Sequence, residues 1–131
     1  MREILFRGKT TLDNEWGVGA GVYKSEGYTW IITDDATKTE NRGTGSDAIN
    51  PATIGQYTGL TDKNGTKIFE GDVVRLYLVD DIEMGIIKFN DIMCRFMFFS
   101  KDGGYSFDNA CTFEVIGNIH DNPELMKGEQ Q

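Results

Sequence analysis

Only two cysteines, Cys94 and Cys111, and one histidine, His120, occur in the 131 residues. Two thiols this far apart do not make a four-thiolate zinc site, and one imidazole does not complete a mixed Cys/His set, so structural zinc is not expected. No apolar run approaches the roughly 20 residues of a membrane span. The opening Met1-Arg-Glu-Ile-Leu-Phe-Arg7 has neither the apolar core nor the small-residue cleavage site of a secretory signal. These absences predict a cytoplasmic protein with reduced thiols, in which Cys94 and Cys111 serve as small buried apolar fillers. A hairpin turning on Asp102-Gly103 is the alternative, since its register sets Cys94 opposite Cys111. Basic residues are also scarce: 13 Lys and Arg against 21 Asp and Glu leave a net charge of −8, which works against non-specific capture of nucleic acid or anionic membrane. A helical period of any length is missing before the last residues.

Short β patterns separated by glycine-bearing turns fill the chain instead. Glu3 to Arg7 reads as a first strand ended by Gly8. Trp16-Gly-Val-Gly-Ala-Gly-Val-Tyr23 alternates strictly, with Gly17, Gly19 and Gly21 leaving one face bare, as happens where another backbone packs closely. Tyr28 to Ile32 follows after Ser25-Glu26-Gly27, so Trp16 to Ile32 forms a hairpin candidate. Residues 33–50 carry almost no large apolar groups and read as an exposed, mobile connection and a subdomain boundary. Beyond Pro51, Asn64-Gly65 suits the two left-handed positions of a type I′ turn. Val73 to Val79 has the composition of a central strand, and Met84 to Phe89 and Ile92 to Phe99 supply two more, joined by Asn90-Asp91. Lys101 to Gly104 turns the chain, with a possible strand break at 108–110, and Phe113 to Ile119 closes the set. Asn122-Pro-Glu-Leu-Met-Lys127 carries a short helix signal with Asn122 as N-cap.

The pattern predicts a mainly β, antiparallel protein of one domain, residues 1–131. Within it, residues 1–52 form an N-terminal strand subdomain with the polar loop 33–50. Residues 53–131 form a small SH3-like barrel, from about Tyr57 to Ile119, with the short C-terminal helix. The charge is uneven: the chain through Thr66 has seven basic and nine acidic residues, a balance of −2, and the chain from Lys67 has six and twelve, a balance of −6.

Three stretches carry a resemblance: Arg2-Glu-Ile-Leu-Phe-Arg-Gly-Lys9, Gln56-Tyr-Thr-Gly-Leu-Thr-Asp-Lys-Asn-Gly-Thr-Lys-Ile-Phe-Glu-Gly-Asp-Val-Val74, and Phe113-Glu-Val-Ile-Gly-Asn-Ile-His-Asp-Asn-Pro-Glu-Leu125. In order and placement they resemble the YopX family of small bacteriophage and prophage proteins. The resemblance implies a β-rich phage-encoded protein in the cytoplasm of a bacterial host, and it brings no assigned activity and no catalytic residues. The segment from Lys9 to Ala52 matches less clearly.

Each chemical motif competes with a structural role. Asp62-Lys-Asn-Gly65 opens like a calcium loop, but its glycine arrives fourth where an EF-hand needs it sixth, which favours a hairpin turn. Gly17-Val-Gly-Ala-Gly21 lacks the third glycine and the following helix of a dinucleotide fingerprint. Asp80, Asp81 and Glu83 form a dense acidic group, but neighbouring strand residues point to opposite faces, so a solvated turn is expected. His120-Asp121 offers a base and an orienting carboxylate without any nucleophile signal beside it. Arg95, Phe96, Phe98 and Lys101 hint at a stacking surface for single-stranded nucleic acid, against the acidic charge of the same half.

The sequence thus points to a non-enzymatic accessory protein that binds a host or phage protein through an open strand edge or exposed aromatics of the Trp16 to Ile32 region, with self-association as a further option. No catalytic, cofactor or metal residues are assigned, and no cofactor is expected. The alternative is a nucleic-acid-binding small β-barrel.

Overall fold

A computed structural model describes residues 3–33, 45–107 and 111–125. In chain order the strands are β1 (Phe6–Lys9), β2 (Trp16–Gly19), β3 (Gly21–Ser25), β4 (Tyr28–Thr33), β5 (Gly45–Ile49), β6 (Gly55–Thr61), β7 (Lys67–Phe69), β8 (Asp72–Tyr77), β9 (Ile82–Asn90), β10 (Arg95–Ser100), β11 (Gly103–Ser106) and β12 (Thr112–Asn118). The chain divides into two compact units, Met1–Tyr57 and Thr58–Gln131, within β6; the sequence reading placed that boundary at 52/53. The protein is mainly β, and every strand pairing in both units is antiparallel.

In the N-terminal unit β1 pairs with β2 on one side and with the start of β6 on the other. A separate three-stranded sheet runs β3-β4-β5. The expected strand from Trp16 to Tyr23 is interrupted at Ala20, which sends β2 and β3 into different sheets. The bare glycine face is real and has a physical reason, because β2 lies on β4. A Cβ at Gly19 would overlap the carbonyl oxygen of Ile32, and one at Gly17 would sit 3.4 Å from Ile31 Cγ2. Gly8 does not end β1 but lies buried within it, where a Cβ would come within 2.7 Å of Ile49 Cδ1. Ser25 faces Tyr28 across the β3–β4 hairpin, and Glu26 and Gly27 both take left-handed φ values, +55° and +82°. Two such positions define a type I′ turn, whose twist matches that of the strands it joins.

The polar stretch 33–50 is not wholly a connection. Thr33 ends β4, and Gly45–Ile49 is a strand in full register with it, from Thr33 opposite Gly45 to Thr29 opposite Ile49. Pairing supplies what composition does not, since an edge strand needs few apolar side chains. Residues 34–44 lie outside the described residues, as does the mobility expected of them.

In the C-terminal unit the sheet order is β11-β10-β9-β8-β12, with the second half of β6 paired to β7. Ile68, Val74, Leu76, Ile87, Phe98 and Phe113 form its core, all at most 3% exposed. β8 lies between β9 and β12, as its composition predicts. The SH3-like barrel is not formed: β11 and β12 stand at opposite ends of the sheet, and none of the sheets closes. The outer side of β12 is met instead by the β6–β7 turn, where Phe113 accepts a hydrogen bond from Lys63 N–H at 2.9 Å.

Several local expectations are corrected. Gly65 is left-handed at +83° but Asn64 is not; Gly65 N–H bonds to Asp62 C=O, and Asp62 N–H to Thr66 C=O. This is a three-residue loop with a left-handed glycine, not a two-residue type I′ turn. Ile92, Met93 and Cys94 belong to the β9–β10 turn rather than to a strand, because Asn90 pairs with Arg95. Cys94 is therefore exposed, with φ +54°, and not a buried filler, while Cys111 is half-buried. Phe98 faces Tyr105, a register that centres the next hairpin on Lys101-Asp102 and does not place Cys94 opposite Cys111. Residues 108–110, the expected strand break, lie outside the described residues. Of the short C-terminal helix expected at Asn122–Lys127, only Glu124 and Leu125 are helical among the described residues, with Leu125 N–H donating to Asn122 C=O, and its remainder lies outside them.

Candidate functional site

Both tryptophans of the chain, Trp16 and Trp30, line a cleft of about 530 Å³ in the N-terminal unit. One wall is the loop between β1 and β2, which is ordered by its own bonds. Asn14 N–H donates to Thr10 C=O, Thr10 N–H to Glu15 C=O, and the Asp13 carboxylate accepts both Thr10 Oγ1–H and Glu15 N–H. Asn14 takes the left-handed conformation at φ +58°, which asparagine tolerates better than most residues. The loop is stitched to β5 by Thr11 N–H to Ala48 C=O at 2.9 Å, and just beyond β5 Asn50 N–H donates to Lys9 C=O at the end of β1 at 2.8 Å. The opposite wall is β5 itself, with Ser46, Asp47 and Ala48, and beyond it Trp30 of β4.

The indole of Trp30 is held by three neighbours. Its Nε1–H donates to Ser25 C=O at 3.1 Å, Tyr23 stacks near-parallel at 6.5 Å between centroids, and Tyr28 meets it edge-on at 6.1 Å. Tyr23 is itself fixed, its hydroxyl donating to Ser46 Oγ at 3.2 Å. Such geometry keeps a large apolar surface rigid while part of it stays wet. Trp16 carries the Arg7 guanidinium 4.5 Å from its ring centroid and the Lys9 ammonium at 5.3 Å. The ionisable residues that line the cleft are Asp13, Glu15 and Asp47, all carboxylates.

The residues singled out in the sequence are placed elsewhere, mostly in structural work. The Asp62 carboxylate is buried and accepts N–H bonds from Asn64, Thr66 and Val115, each at 2.9 Å. Burial raises its pKa, but the three backbone donors and nearby Lys63 outweigh that and hold it below the ordinary aspartate value. Asp80 and Asp81 lie in the exposed β8–β9 turn, where Asp81 accepts from Ile82 N–H, and Glu83 pairs with Leu76 in β9. Among the described residues no three of His, Cys, Asp and Glu converge as a metal site would require. His120 and Asp121 sit in a turn organised by Asn118, whose Oδ1 accepts both their backbone N–H groups and whose amide donates to Asp121. Arg95 and Lys101 are exposed, but Phe98 is fully buried against Tyr105 and Phe113, and Phe96 packs on Phe89, so this set does not present a stacking surface.

Sequence reasoning found the aromatic region but not the cleft. Its lining comes from residues 10–13 and 15–17, Trp30 and 46–48, which no fixed spacing connects. A second cluster also went unnoticed: Glu114 accepts from Tyr77 Oη–H at 2.6 Å and from Arg75 at 3.3 Å, while Lys63 lies over the Tyr77 ring. The tyrosine bond is the main cause of a lowered Glu114 pKa.

Comparison with known proteins gives a family and similar solved structures. The family model described as YopX protein matches residues 5–127. No curated protein matches the chain. The chain is similar to the crystal structure of protein EF1440 from Enterococcus faecalis, with a TM-score of 0.55 and 25% identity over 96% of this chain and 99% of that chain.

Proposed function

The chain belongs to the YopX family, and from that premise we propose that it is a non-enzymatic phage or prophage accessory protein, acting in the cytoplasm of its bacterial host as a protein-interaction module. The observation that carries this reading is the aromatic cleft: both tryptophans border one open concavity, with Trp30 braced by Tyr23 and Tyr28. Aromatic anchors held rigid before binding lose little conformational freedom on contact, which is why they dominate protein interfaces. The sheet that bears Trp30 also ends in β3, an outer strand able to pair with an extended segment of a partner.

Affinity capture from phage-infected cells, with the natural chain and a Trp30→Ala variant side by side, tests the reading. The expected result is a phage or host protein retained by the natural chain and lost from the variant. Capture that ignores the substitution, or none at all, would count against it. Binding to single-stranded DNA or RNA that falls steeply with salt would replace it with the nucleic-acid reading.

A further inference from the structure

We propose that β3 pairs with β3 of a second copy of this chain, antiparallel about a two-fold axis at Tyr23, joining two three-stranded sheets into one of six strands. The inference rests on the interaction role above and names the occupant of its outer strand. In a two-residue hairpin the residues flanking the turn exchange both backbone bonds, and such pairs recur at every second position. Ser25 with Tyr28, Tyr23 with Trp30 and Gly21 with Ile32 are therefore the bonded pairs of β3 and β4. The N–H and C=O groups of Val22 and Lys24 point the other way, where no strand meets them among the described residues. Two other sheet edges are capped by the chain itself. Thr11 N–H donates to Ala48 C=O on β5, and Lys63 N–H to Phe113 C=O on β12.

A second copy fits this edge in register, length and charge. With Tyr23 opposite its counterpart, Val22 of each copy faces Lys24 of the other, and the two closely bonded pairs give four hydrogen bonds across the seam. All of β3 is used, since Gly21 of each copy then faces Ser25 of the other. The two Lys24 ammonium groups lie diagonally rather than face to face. Gly21 to Thr33 holds one lysine and one glutamate, so the net charge of −8 does not reach the seam. Tyr23 leaves the edge backbone clear, because its hydroxyl donates to Ser46 on β5 and its ring stacks on Trp30 of β4. β3 also lacks the proline and the bulge that blunt many exposed edges.

Sedimentation velocity of the natural chain from about 5 µM to about 1 mM tests the proposal. So small a seam predicts a monomer–dimer equilibrium with a dissociation constant on the order of 100 µM. Lys24→Pro removes an N–H that the β3–β4 ladder does not use, and with it two of the four seam bonds. It should leave the circular dichroism unchanged and weaken the dimer at least about tenfold. Two substitutions at Val22 share a structural cost but differ in sign across the seam. Val22→Glu faces Lys24 of the second copy and should tighten the dimer about threefold, whereas Val22→Lys should loosen it about threefold. In a Cys94→Ser background, Tyr23→Cys sets two thiols opposite one another at the axis, with Cα atoms about 4.5 Å apart, and should cross-link on mild oxidation. Ser25→Cys, whose counterpart lies about 13 Å along the strand, should not. A monomer at about 1 mM, growth beyond the dimer, or a dimer indifferent to Lys24→Pro and to the sign of charge at position 22 would each overturn the proposal. If the chain is monomeric while capture still depends on Trp30, the occupant of β3 is wrong and the interaction role stands. If the dimer forms as expected but no Trp30-dependent protein is captured, the interaction role is what fails.

Discussion

Asp62 shows how much structure one carboxylate can organise. Its two oxygens accept three backbone N–H groups, two from its own loop and one from Val115 on β12. Asp62→Asn replaces one acceptor oxygen with an amide that confronts a donor, and is expected to cost about 1–3 kcal/mol in urea unfolding. The sign with pH follows from the lowered pKa. The folded state binds this proton less readily than the unfolded chain, so the stabilisation is complete above the unfolded value, about 3.9, and fades as pH falls through the lower folded value. The natural chain should therefore lose stability at acid pH more steeply than the Asn variant. The sequence offered Asp62 as the opening of a turn or of an ion loop. Its role as a turn was legible from the neighbouring Asn64-Gly65, but its third bond was not, because Val115 lies 53 residues away.

Glycines separate two kinds of constraint within the strands and turns. Gly19 has no room: a Cβ there would run into the Ile32 carbonyl, which belongs to a backbone that cannot step aside cheaply. Gly65 has open space but a φ of +83°. Gly19→Ala is expected to cost about 3 kcal/mol, and Gly65→Ala only about 1 kcal/mol of backbone strain. Thermal melts of the two variants check the order, and equal losses would refute the assignment of Gly19 as a packing glycine. Element type was legible wherever alternation and turn residues agreed, as in β3 and β4 around Glu26-Gly27. It was lost where hydrophobicity overran the pairing, at Val79 and at Ile92 to Cys94, and where a polar segment paired anyway, at Gly45 to Ile49. Side-chain pattern records burial, whereas strand limits are set by which backbone lies alongside.

The whole chain carries its largest core in the unit 58–131 and both tryptophans in the unit 1–57. Phe98→Ala empties the centre of that core and is expected to cost about 3–5 kcal/mol. The midpoint seen by far-ultraviolet circular dichroism should fall further than the one seen by tryptophan emission, and the reverse order would contradict the division into units. The mainly β, antiparallel character was legible in the sequence. Barrel closure was not, since it depends on whether the last strands meet, and the residues of the cleft come together only through the pairing of β4 with β5 and the loop laid against it. The two thiols, so unlike in their surroundings, have a practical consequence. Cys94, at a hairpin tip in residues 58–131, should accept a maleimide tether well before half-buried Cys111, giving a surface on which the protein can be immobilised with every cleft residue chemically untouched.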